Sequence, residues 1–312
     1  MSDDTILGFD IGGTKTAAVL GTLQGEILAR QEFATPATAP FETAFQLMTA
    51  TADQLLVKTR ALGFPEPRAV SAAVGGPLDI SRGIIYSPPH LPTWDRAPLK
   101  ASLEDHFKLP VWIEHDGNAG ALAEFYFGAG RGTRNLIYLT LGTGLGAGII
   151  LDGRIFHGTT DTAGEVGHVR IAEDGPVEYG KAGSWEGYCS GSGLVKLAHL
   201  RQPGAWPVEV TTRQIVESAL AGDPKARRLV AEMGAWLGKG LAVLVDVLNP
   251  EIIVVGTLGV VLGELVLEPA RSFLQKEAIP ISVKACRVVP AQLGSELGSL
   301  CAIIAAIDAH SR

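Results

Sequence analysis

The apolar run Ile6-Leu7-Gly8-Phe9 leads straight into Asp10-Ile11-Gly12-Gly13-Thr14-Lys15-Thr16. A strand that ends in an acidic residue and turns through two glycines can bring backbone N–H groups close to a polyphosphate. Asp10 stands where it can reach a Mg2+ ion through water, and Thr14 adds a hydroxyl. Asp-x-Gly-Gly also closes ordinary hairpins, so one copy decides little. A second copy follows at Leu139-Thr140-Leu141-Gly142-Thr143-Gly144-Leu145-Gly146-Ala147-Gly148-Ile149-Ile150, after the strand-like Asn135-Leu136-Ile137-Tyr138. Two strand–glycine–strand hairpins in one chain predict two similar halves gripping nucleotide phosphates.

Size and composition agree with that layout. A chain of 312 residues is long for one core and comfortable for two domains. With 46% hydrophobic and 19% charged residues it reads as a packed globular protein. A formal charge of −7 and the lack of a dense Lys/Arg run argue against a nucleic-acid partner. The opening Met1-Ser2-Asp3-Asp4 lacks the basic start of a signal peptide. The most apolar stretch, from Leu241 to Leu267, is interrupted by Asp246, Asn249, Pro250, Glu251 and Glu264, too polar a run to span a membrane. The scattered cysteines Cys189, Cys286 and Cys301 predict reduced thiols in a cytoplasmic protein.

Hydrophobic periodicity and breakers predict strands over 6–10, 16–20, 26–32, 69–74, 111–114, 136–141 and 252–255. Helices are expected over 41–62, 99–107, 116–127, 185–200, 212–219, 223–248 and 296–309. Asp116, in Ile113-Glu114-His115-Asp116-Gly117-Asn118-Ala119, falls where a buried strand hands over to a helix. That position suits a general base facing a ligand, and it equally suits a helix N-cap. Glu165 and His168 lie three apart in Ala163-Gly164-Glu165-Val166-Gly167-His168. A carboxylate and an imidazole can accept from and donate to adjacent hydroxyls, although a surface Glu beside a packed His has the same look.

From Asp10 to Gly298-Ser299-Leu300-Cys301-Ala302 these motifs resemble the ROK family of sugar kinases, within the actin/hexokinase/Hsp70-like fold. The resemblance covers essentially the whole chain. It implies an α/β, two-domain actin-like ATPase (ribonuclease H-like) fold with a central cleft. Residues 1–115 with about 292–312 would form the small domain, and 116–291 the large one. It implies ATP-dependent transfer of the γ-phosphate to the 6-hydroxyl of a hexose or N-acylhexosamine, with Asp116 as base. Glu165, His168 and Glu186, the last in Gly183-Ser184-Trp185-Glu186-Gly187-Tyr188, would read sugar hydroxyls. Gly75 and Gly76 would bring backbone up to the same sugar. Gly12, Gly13 and Thr14, with Thr143 and Gly144, would clamp the phosphates, Asp10 would serve Mg2+, and Gly256 would mark the adenosine side. A homodimer is expected. The alternative is a catalytically silent sugar-binding sensor of the same fold.

Several positions depart from the family pattern. Most relatives carry a zinc knuckle, Cys-x-Cys-Gly-x-x-Gly-Cys, where this chain has Val177-Glu178-Tyr179-Gly180-Lys181-Ala182-Gly183-Ser184. Structural zinc needs four soft or borderline ligands, so none is expected here, with the loop held by packing of Tyr179 and Trp185. His168 would then need another partner to fix its tautomer. His90, in His90-Leu91-Pro92-Thr93-Trp94, and His115 stand where the family commonly has asparagines that read the sugar. Both are candidate substrate contacts, which would shift the expected sugar away from plain glucose, and either can equally be a packed bystander. Thr257 replaces a second glycine after the 252–255 strand. Repressor relatives carry a helix-turn-helix ahead of the phosphate loop, and a loop starting at residue 10 leaves no room for one, so a kinase is expected.

Overall fold

The computed structural model describes residues 4–311; Met1-Ser2-Asp3, read above for its lack of a basic start, and Arg312 lie outside them. The chain divides into two compact units, the first taking in residues up to Phe127, His157–Thr162 and Ser295 onward. In this unit β1 (Thr5–Ile11), β2 (Lys15–Thr22) and β3 (Ile27–Ala34) form an antiparallel meander. Helix α1 (Phe41–Ala61) then buries Ala44, Met48, Ala52 and Leu55, a helical spacing, and β4 (Pro67–Val74) returns parallel to β1. A small sheet of β5 (Leu78–Asp79), β6 (Ile84–Tyr86) and β7 (Asp95–Ala97) carries His90 in its last connection. Helix α2 (Leu99–Phe107) leads into β8 (Val111–His115), which passes without a loop into α3 (Asp116–Phe127).

The main sheet has the order β3-β2-β1-β4-β8, with β1, β4 and β8 parallel. Ile11 is paired with Val74 and Val74 with His115, so the carboxyl ends of the three strands lie level. Asp10, Gly75-Gly76 and Asp116 therefore come to one edge, the place where open α/β sheets bind ligands.

The C-terminal helix Leu297–Ser311 packs on this sheet. A Cβ added at Gly8 would lie 2.7 Å from the backbone C and O of Ala302, and one at Gly21 would lie 2.8 Å from Ile303 Cδ1. Helix α3 packs against the same C-terminal helix, and Tyr126 Oη donates to Asp308 Oδ1 at 3.0 Å. The compact units divide after Phe127 and at Ser295, where the sequence reading places boundaries at 116 and about 292; α3 falls in the first unit with the helix it packs on. The segment His157–Thr162, assigned to the large domain by sequence, also joins the first unit. His157 Nε2 meets Glu114 Oε2 at 2.8 Å and Asp161 Oδ2 accepts from Ile80 N at 2.9 Å.

The second unit, Gly128–Phe156 with Ala163–Gly294, repeats the plan. Strands β9 (Leu136–Leu141), β10 (Leu145–Leu151) and β11 (Arg154–Ile155) form the meander. The chain continues through the hairpin β12 (Val177–Glu178) and β13 (Lys181–Ala182), then α4 (Trp185–Cys189), α5 (Gly191–Arg201), α6 (Thr212–Leu220) and α7 (Pro224–Leu248). Next come β14 (Ile252–Val255), α8 (Leu258–Leu262), α9 (Glu264–Glu277), α10 (Pro280–Ala285) and β15 (Arg287–Pro290), with the C-terminal helix as α11. The sheet order β11-β10-β9-β14-β15 reproduces that of the first unit, antiparallel and parallel pairings included. The single helix expected over 185–200 is in fact two. Ser190 is extended (φ −100°, ψ 171°), and its Oγ caps α5 by accepting from Gly193 N at 2.9 Å.

The close seat of α11 on β1 leaves no space for a methyl group. Gly8→Ala is expected to lower unfolding free energy by about 1–3 kcal/mol, measured by urea denaturation. A neutral variant would mean that the helix can lift off the strand freely.

Candidate active site

In the first unit the β1–β2 turn is clamped by Thr35, the residue that follows β3. Thr35 Oγ1 donates to Gly12 O at 2.7 Å, and Thr35 N donates to Thr14 O at 2.9 Å. A Cβ on Gly13 would come within 2.6 Å of His90 Cβ, so His90 lies against the turn itself. Asp10 sits behind the turn, its Oδ2 so near the start of α11 that a Cβ on Gly298 would lie 2.8 Å away. Burial pushes the Asp10 carboxyl up to about 6; Arg30 opposes the shift and the neighbouring Asp116 adds to it.

Asp116 opens α3 with an exposed carboxylate, 61% accessible. Its Oδ1 accepts from Gly117 N at 2.7 Å, so the N-terminal helix role and an outward-facing oxygen coexist. A Cβ on Gly75 would lie 3.7 Å from Asp116 Oδ2, and one on Gly76 would lie 2.9 Å from His115 Cδ2. The His115 ring thus lies over Gly76, with Nδ1 3.3 Å from Asp116 Oδ1. Beneath them the buried Glu114 is held by three donors: His115 N at 2.8 Å, Asn118 Nδ2 at 2.9 Å and His157 Nε2 at 2.8 Å. Sequence reasoning missed this support. Its one local signal is a charged residue inside the otherwise apolar β8, while its partner His157 is far along the chain.

In the second unit Glu186 is the node. Its Oε2 accepts from Leu145 N and from Tyr179 Oη, both at 2.7 Å, and a Cβ on Gly144 would lie 2.7 Å from the same oxygen. The Tyr179 ring stacks on His168 with centroids 3.5 Å apart and planes 20° apart. His168 Nε2 stands 3.9 Å from Glu165 Oε2, and Lys181 Nζ donates to the His168 carbonyl. Glu165, His168 and Glu186 are therefore brought together, with Thr143 and Gly144 on the adjoining β9–β10 turn. Trp185, expected to help hold the loop, is buried in the core of this unit.

A cavity of about 320 Å3 opens beside that turn, lined by Gly142, Thr143, Gly191, Thr212, Arg213, Val216, Thr257, Leu258 and Val261. Its apolar walls and few hydroxyls suit a nucleoside. Thr143 takes part, but Gly256 does not line it: a Cβ there would run into the Tyr138 hydroxyl, so that glycine answers to packing. Thr257 does line it, and keeps a glycine-like backbone (φ 44°, ψ −100°) that a β-branched residue adopts only under strain. Thr212 and Arg213 went unread because nothing local marks the first turn of α6 as ligand-facing.

The knuckle positions do not fit zinc. Val177 is exposed, Tyr179 is stacked on His168, and the buried Ser184 Oγ accepts from Gly187 N as the cap of α4. The three cysteines are free thiols, with Cys189 and Cys301 buried and burial pushing the Cys286 thiol up to about 11.

The sequence matches the ROK family over residues 6–309, and the chain belongs to that family. It is 34% identical over 307 residues to a glucokinase of Streptomyces coelicolor, covering 94% of each chain. It is also 31% identical over 287 residues to a xylose repressor of Caldicellulosiruptor bescii, covering 88% of this chain and 71% of that one. Among solved structures, a ROK family glucokinase from Streptomyces griseus in complex with glucose and AMPPNP is 34% identical. That structure superposes with a TM-score of 0.77 over 96% of this chain and 98% of its own. The fold is the mixed α/β fold of these actin-like ATPases.

Because burial disfavours the ionised form of Asp10, the folded protein is least burdened by it at low pH and bears the cost as pH rises through 6. Asp10→Asn is expected to stabilise the ligand-free protein at pH 7–8 by on the order of 1–3 kcal/mol. The gain should shrink as pH falls and vanish near pH 4, in paired thermal melts. Equal melting temperatures throughout would contradict the assignment. Thr257→Gly should relieve strain worth about 1 kcal/mol and raise the melting temperature, measured by thermal denaturation.

Proposed function

We propose that this protein transfers the γ-phosphoryl group of ATP to the 6-hydroxyl of a hexose or N-acylhexosamine, with Asp116 as general base. The chain is a sugar kinase by its family and its glucokinase relatives. The observation that carries the mechanism is the exposed Asp116 carboxylate beside Gly75-Gly76, at the carboxyl edge of three parallel strands. Asp116 Oδ2 takes the proton of the 6-hydroxyl and orients that oxygen for attack, while the adjacent glycines let the sugar approach the backbone. Glu165, His168 and Glu186 read ring hydroxyls, with His90 and His115 as further donors on the first unit. Gly12, Gly13 and Thr14 receive phosphate oxygens, Thr143 and Gly144 line the nucleotide side, and Asp10 is the carboxylate suited to Mg2+. Bound ATP·Mg2+ supplies the transferable phosphoryl group and the charge neutralisation that phosphoryl transfer needs.

The xylose-repressor match favours a second reading, a sugar-binding sensor without turnover. A coupled ATP-to-ADP assay over hexoses and 2-acetamido hexoses separates the two, since a sensor binds a sugar and releases no ADP. The expected assembly is a homodimer, to be read by light scattering. The expected setting is cytoplasmic.

Asp116→Asn is expected to lower kcat by about 100-fold to 10,000-fold while leaving sugar affinity within a few-fold, measured by steady-state kinetics and calorimetry. A variant with near-normal turnover would remove Asp116 from the role of base.

A further inference from the structure

Tyr179 forms the tip of the β12–β13 hairpin with φ +51°, and Gly180 follows at +69°. Two successive positive φ values define the tight turn that suits antiparallel strands, where asparagine or glycine takes the first position at least cost. A tyrosine there carries a backbone penalty, and the residue is 48% exposed, so neither turn geometry nor core burial accounts for it. What the side chain touches is the sugar-reading set. Its ring face lies on His168 and its hydroxyl donates to Glu186 Oε2. The hairpin behind it is fastened to α5: Lys196 Nζ donates to Val177 O at 2.9 Å, and Ser192 Oγ donates to Glu178 Oε1 at 3.1 Å.

Resting on the sugar-kinase reading, we propose that Tyr179 is a positioning residue of the sugar site, a metal-free strut that orients two ligand-reading groups at once. Its ring sets the plane of the His168 imidazole. Its hydroxyl joins Leu145 N–H on Glu186 Oε2, so that the other carboxylate oxygen is the one offered to a sugar hydroxyl. Burial, with Glu186 beside it, keeps the phenol protonated and donating well above the usual tyrosine range. The strut stands where the family pattern places a metal-binding cysteine, and it fastens the same loop by stacking and one charge-assisted hydrogen bond.

The test compares Tyr179→Phe, Tyr179→Asn and Glu186→Gln in the full chain, with glucose, mannose and N-acetylmannosamine as probe sugars. Tyr179→Phe keeps the ring and is expected to raise the KM of the accepted sugar roughly tenfold, the loss of one hydrogen bond to a charged group. Tyr179→Asn suits the turn and removes both contacts, so it should raise that KM further with the melting temperature unchanged or higher. The KM for ATP should stay within twofold in both. Placed on Glu186→Gln, Tyr179→Phe should add less than a twofold effect, because the hydroxyl acts through that carboxylate. Unchanged sugar KM in both tyrosine variants, or a full tenfold effect of Tyr179→Phe on top of Glu186→Gln, overturns the proposal. So does a parallel loss of ATP affinity and melting temperature, which would mark a scaffold residue. If Glu186→Gln itself leaves sugar KM unchanged, or no probe sugar is turned over or bound by the wild type, the sugar-site reading fails first and takes this proposal with it.

Discussion

Helix α11 lies on β1 and β2 across gaps that only glycine leaves open, at Gly8 of β1 beneath Ala302 and at Gly21 of β2 beneath Ile303. That seat fixes the strand which carries Asp10 and brings the first turn of the helix to its carboxylate at Gly298. The carboxylate is thereby removed from water, which is why its affinity for a proton rises although Arg30 is near. A carboxylate so placed bears a cost whenever it is ionised, because burial disfavours its charge. The same helix carries α3 on its flank, so the residue at the start of α3, Asp116, is set by the contact that sets Asp10.

In the second unit a carboxylate plays the organising part. Glu186 receives Leu145 N–H and the Tyr179 hydroxyl, and its Oε2 leaves no room for a side chain at Gly144, while Gly167 is closed by the Leu145 carbonyl. A glycine that looks like a phosphate-loop signature therefore has a packing reason to be glycine: Gly144 makes space for the acid. Gly144 makes room for Glu186, whereas Gly256 serves packing against Tyr138 and leaves the cavity wall to Thr257.

Local signals carried much of the fold. The bounds of α2, α3, β9 and β14 agree with the spans read from periodicity and from the flanking glycines, prolines and charges. What local signals could not carry was tertiary. Helix α3 reads as the start of a second domain, and only its packing on α11, nearly two hundred residues later, assigns it to the first. The break between α4 and α5 hides in Ser190-Gly191-Ser192-Gly193, where a serine cap interrupts an apparently continuous apolar pattern. The site divides the same way. Motif residues such as Asp10, Asp116 and Glu165 stand in short contiguous signatures. The supports Glu114–His157 and Tyr179–Glu186, and the cavity wall shared by Thr212 and Thr257, arise from folding and leave no spacing to read.

A cysteine cage would tie the His168 loop to the supply of metal and to the redox state of its surroundings. An aromatic stack ties it to neither, and it leaves an optical and magnetic trace instead. The imidazole protons of His168 lie within the ring current of Tyr179, at a centroid distance of 3.5 Å. Their resonances are accordingly displaced upfield from those of a free histidine. The loop carries its own internal gauge of whether ring and imidazole remain face to face, legible in the intact protein without any label.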